Sequence, residues 1–68
     1  MVKVIEVLNV HQISKDDTLA LVLGSDSMYY IGHNICLDTP IVGLDAINSI
    51  YTASKKYQET LDKYEWSF

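Results

Sequence analysis

His33 and Cys36 bracket an HNIC step, with Asp38 two residues further on and His11 earlier in the chain. Imidazole, thiol and carboxylate are the groups that hold zinc and similar metals, and a Cys–His pair is the smallest nucleophile–base couple. Two chemistries are therefore open: a metal site, or a small thiol-dependent enzyme, using His33, Cys36 and Asp38. The spacing argues against both. On a strand, residues three apart point to opposite faces, so His33 and Cys36 diverge unless a bulge intervenes. A catalytic cysteine also needs an electropositive, partly exposed setting, and no neighbour in the sequence supplies one. Cys36 is expected to be a small buried hydrophobe with a structural role. His33, which shares its alternating face with Ile31, Ile35 and Leu37, is expected to be a satisfied or edge histidine.

The remaining candidate chemistry is thinner. Gly24, Gly32 and Gly43 are too far apart for a phosphate-cradling GxGxxG or GxxxxGK loop. Ser25, Asp26 and Ser27 in GSDS offer oxygens to a cation but satisfy a tight turn more simply, and Asp38 before Thr39-Pro40 is likewise a turn former. Asp16 and Asp17 are adjacent, and adjacent carboxylates in a turn do not converge. The expectation is no catalytic residue, no metal and no cofactor.

Charge narrows the partners. Nine acids face five bases, a net charge of −4, and every base is a lysine: Lys3, Lys15, Lys55, Lys56 and Lys63. Arginine is the side chain best shaped for bidentate contact with phosphate and guanine, so its absence argues against nucleic acid. The longest apolar run, Leu19 to Leu23, is far short of the roughly 20 residues a membrane helix needs. MVKVIEVLNVHQ does not read as a signal peptide, because Glu6 interrupts the apolar run and no small-residue cleavage site follows. A cytoplasmic location with Cys36 reduced is expected, with no membrane contact.

The elements that must position these residues follow from hydrophobic pattern. VKVIEVLNV is dense in β-branched residues, and neither alternating face is clean, which suits a strand covered on both sides. SKDD at 14–17 signals a turn, TLALVLG a second strand, GSDS at 24–27 a hairpin loop, and MYYIGHNICL a third strand. Between 18 and 38, TLALVLGSDSMYYIGHNICLD resembles the strand-turn-strand of translation-factor β-barrels. The Gly-rich entry of that family is missing and helix follows, so the likeness implies a hairpin and no function. DTP then ends the sheet. The fold class expected is α+β, a three-stranded antiparallel β-meander followed by one C-terminal amphipathic α-helix. All of 1–68 forms one domain: meander 1–38, turn 39–44, helix 45–65 and aromatic tail 66–68. The helix start stays open between Pro40 and Asp45.

Positions 47, 50, 54, 57, 61, 64 and 68 alternate spacings of three and four and carry Ile, Ile, Ser, Tyr, Leu, Tyr and Phe. Ser54 interrupts this seam, so an amphipathic helix lying on a sheet accounts for it better than a coiled coil. By Tyr57 such a helix has run roughly 18 Å, already the length of a typical strand. Its last turn is expected to overhang. Tyr57, Leu61, Tyr64, Trp66 and Phe68 are then candidates for a protein interface, since tyrosine and tryptophan dominate interface hot spots; the alternative is a tail that curls back onto the core.

A core of this size rarely supplies more than roughly 3–5 kcal/mol, and one cysteine cannot form an internal disulfide, so a partner subunit is a natural support. The function expected is a non-catalytic protein-binding module: a homodimer that regulates or inhibits a larger protein. Its size and acidity are those of many proteins encoded by phages and other mobile elements.

Overall fold

The computed structural model describes residues 1–64. Strands β1 (Val4–Gln12), β2 (Thr18–Gly24) and β3 (Tyr29–His33) form an antiparallel sheet in the order β1-β2-β3, and helix α1 (Ile50–Tyr64) follows. The α+β meander with a C-terminal helix is thus the observed architecture.

The central strand is β2, which is buried along nearly its whole length. Its alternation sends Leu19 and Leu21 to one face, where Ala53, Tyr57 and Leu61 of α1 close over them with Ile13. Ala20 and Val22 face the other way and join Val4 and Tyr30 in a second cluster. Among the described residues no helix or further strand covers that second cluster. Residues 34–49 do so instead, with Ile35, Ile41 and Leu44 packed on it.

Four expectations are corrected here. The strand covered on both faces is β2, whereas β1 is a largely exposed edge strand. Its confused alternation comes from register shifts between Val4 and Glu6 and between Val7 and Asn9, which insert Ile5 and Leu8 as bulge residues. Second, β3 stops at His33 because Asn34 takes a left-handed φ of 56°. Its side-chain carbonyl accepts from the Thr18 N–H (3.0 Å) and its amide donates to Asp17 (2.9 Å), a local satisfaction suited to asparagine. Third, the hairpin loop falls one residue later than GSDS: Gly24 ends β2, its N–H donating to the Met28 carbonyl at 2.8 Å.

Fourth, α1 begins at Ile50 rather than Asp45. Ile47 is held extended against Tyr29 by two backbone bonds, of 2.7 and 2.9 Å, which a helix would forbid. Ser49 then caps the first turn, its Oγ accepting from the Thr52 N–H at 3.4 Å.

Candidate protein-binding site

Cys36 and His33 set out to share a strand, but the chain turns at Asn34 between them. Cys36 is exposed, not buried as expected, because it lies beyond β3 in a turn where its N–H donates to Thr39 Oγ1 (3.1 Å) and its Sγ meets the same hydroxyl at 3.3 Å. His33 instead faces α1, with Nε2 3.5 Å from the Tyr64 hydroxyl and the two rings edge to face. Asp38 sits in the following turn at φ 65°, its N–H donating to the Val4 carbonyl. Among the described residues no three His, Cys, Asp or Glu side chains gather as a metal would require.

The interface candidates divide. Tyr57 and Leu61 go to the domain's own core, 3% and 8% exposed, because the stripe that carries them is the face α1 lays on Leu19 and Leu21. Tyr57 is also tied in by its hydroxyl, which donates to the Leu19 carbonyl at 2.7 Å. With its one proton so committed, the hydroxyl must accept from His11 at 3.0 Å, which assigns the proton of that contact to His11 Nδ1. Burial raises the Tyr57 pKa. Tyr64 is half-buried beside His33. Trp66 and Phe68 lie outside the described residues.

What the sequence did not disclose is that both outer edges of the sheet keep unpaired backbone groups. Along β2–β3 the bonded pairs are the even ones, as the Gly24–Met28 and Thr18–Asn34 bonds at either end show. Leu19 and Leu21 therefore turn their backbone groups to β1, bonding His11 and Asn9, and Val10 and Gln12 of β1 turn theirs outward. Residues 38–41 pair with Val2 and Val4, and beyond Val4 no described segment bonds to the outer side of β1. The side chains there are apolar and open: Ile5 is 55%, Leu8 37% and Val10 51% exposed.

At the other edge, the same alternation turns the N–H and C=O of Tyr29, Ile31 and His33 outward. Ile47 takes those of Tyr29. A groove of about 300 Å³ runs alongside the rest, between β3, residues 43–45 and α1. Leu19, Ile31 and Ile47 give it an apolar floor, and His33, Asp45, Lys56 and Thr60 a polar rim.

No known protein family, curated protein or solved structure matches this chain. No helix among the described residues is long and apolar enough to cross a membrane.

Proposed function

We propose that this chain is a non-catalytic cytosolic protein-binding module that pairs with a second copy of itself along the outer edge of β1 and regulates or inhibits a larger protein, in the manner of small mobile-element products. The observation that carries the reading is the combination at β1 of outward backbone groups at Val10 and Gln12 with exposed Ile5, Leu8 and Val10. An open apolar edge is a template for another strand, and two-fold pairing is the commonest way a small domain covers one. Glu6 and His11 are the only titratable side chains between Ile5 and Gln12, so edge-to-edge apposition brings little like charge together. The bulges at Ile5 and Leu8 confine regular pairing to Asn9–Gln12, which makes the dimer weak and concentration-dependent.

Light scattering across a concentration series tests this. The wild-type mass should rise towards that of a dimer, and Val10→Lys should remain a folded monomer. A wild-type chain monomeric at every accessible concentration removes the homodimer. Capture of a larger protein should be abolished by Val10→Lys and untouched by Lys55→Ala, on the exposed side of α1.

A further inference from the structure

We infer that the groove beside β3 is a second, separate binding site, which takes a short extended peptide carrying an apolar residue and, two positions on, a carboxylate. Residues 43–47 run antiparallel to β3 and bond it at one residue pair, Tyr29 with Ile47. The next pairs in that register, Ile31 with Asp45 and His33 with Gly43, make no backbone hydrogen bond, and the groove lies between them. Two N–H and two C=O groups of a regular strand therefore face an open space of about 300 Å³, at the lower end of the range for ligand sites. The complementary group for such a row is another extended backbone.

The lining selects the side chains. A guest strand alternates its residues between the two faces of the sheet. Those directed towards α1 meet the floor of Leu19, Ile31 and Ile47, and then the Lys56 ammonium and Thr60 hydroxyl from the helix. An apolar residue followed at the second position by an acid matches that order. Asp45 on the facing wall disfavours a carboxylate at its own end and so sets the guest's direction. On the opposite face Gly32 leaves no room: a Cβ there would collide with the Ile35 δ-methyl and lie 3.0 Å from that of Leu44, so the intervening guest residue must be small or point to solvent.

The probe is the end-capped peptide Ac-Ser-Val-Thr-Glu-Ser-NH2, titrated into the full 68-residue protein and followed by amide chemical shifts. Saturable shifts and slowed exchange are expected at Ile31 and His33 and not at Val10 or Gln12. Lys56→Glu should weaken binding about fivefold, as loss of an exposed ion pair would. His33→Pro, which deletes an outward N–H without touching the β2 ladder, should abolish it. No shift up to a few millimolar, roughly the weakest binding such a titration detects, overturns the site. So do shifts centred on β1, or Ile31 and His33 shifts that change on protein dilution without peptide, which would place a second copy there. Because the dimer is read at Val10 and the peptide at Ile31, either can fail without the other.

Discussion

The two outer edges of the sheet are bounded by one segment, residues 34–49, and it treats them differently. At β1 it pairs only with the first residues, through Asp38, Thr39 and Ile41, and then leaves. The remainder of that edge is open, apolar and twice bulged. At β3 it comes round from one face to the other, pairs through Ile47 with Tyr29 alone, and stands off beside Ile31 and His33. That edge is regular but screened. Bulges re-twist an edge that nothing covers, whereas an edge with a covering segment can stay flat and keep its register. The first arrangement suits a weak contact with a broad surface, the second a narrow contact with one chain.

The contrast is sharpest in a single row across the face away from α1, where Val10 lies opposite Ala20 and Ala20 opposite Gly32. At the β1 end the row is open, with Val10 half exposed; at the β3 end it is filled by Ile35 and Leu44. Gly32→Val should therefore be the most damaging change. Overpacking of this kind costs about 1–3 kcal/mol, and a domain of this size loses about 4–8 °C of melting temperature per kcal/mol. Val10→Thr at the other end of the same row should stay within about 0.5 kcal/mol, as exposed substitutions do. Thermal melts of the two variants that coincide would dissolve the distinction between the edges.

Proline then separates backbone from packing. Val10→Pro and His33→Pro each remove one outward N–H and leave the inner ladder whole, which edge strands tolerate. Both should fold, with melting temperatures below wild type by less than that of Gly32→Val. Val10→Pro should abolish self-association by light scattering and leave the β3 groove unaltered, and His33→Pro should do the reverse. Loss of dimerisation in both would mean that the edges are not independent.

How much of this was legible in the sequence depends on which force placed each residue. The strands and helix follow from β-branched density and from the stripe at Tyr57, Leu61 and Tyr64, because burial against β2 dictates those positions. The helix start did not follow, because Asp45 to Ser49 are acceptable helix formers and only the pairing of Ile47 with Tyr29, distant in sequence, holds them extended. Exposed Cys36 was hidden by the same kind of local override: the left-handed Asn34 ends a strand that apolar alternation alone would continue to Leu37. The groove had no sequence signal, since it is a gap between residues 31–33 and 43–45 that backbone register creates.

Acid and alkali probe the two ends of β3. At its start, the Tyr30 hydroxyl donates to Asp26 at 2.5 Å, which lowers the Asp26 pKa against a smaller opposing effect of desolvation and raises that of Tyr30. At its end, the Asn34 amide and then the Ser14 hydroxyl lower the pKa of Asp17. A depressed carboxyl contributes stability above its unfolded value, about 3.9, that is lost as pH falls through the folded one. The raised tyrosine contributes below about 10 and loses it as pH rises through its folded value. The contribution of these groups should thus be constant between these limits and fall on both sides. Asp26→Asn should flatten part of both limbs, and Asp17→Asn part of the acid limb alone. Chemical denaturation at a series of pH values reads this directly, and an unchanged acid limb in the Asp26→Asn, Asp17→Asn double variant would show that neither end is braced as described.

The smallest effect belongs to Cys36, at the point where the covering segment leaves β3. Its side chain is exposed, and the contact of its Sγ with Thr39 Oγ1 repeats what its own backbone N–H already makes. Cys36→Ala should therefore change stability by less than about 0.5 kcal/mol. An exposed thiol should also be alkylated in the native protein at nearly the rate seen in denaturant, and the adduct should leave both edges intact. If alkylation is instead slow until the chain unfolds, residues 34–39 pack more tightly than an exposed turn allows. The segment would then cover more of the sheet than its backbone pairing with Val2, Val4 and Tyr29 indicates, and the contrast between a bare edge and a screened one would narrow.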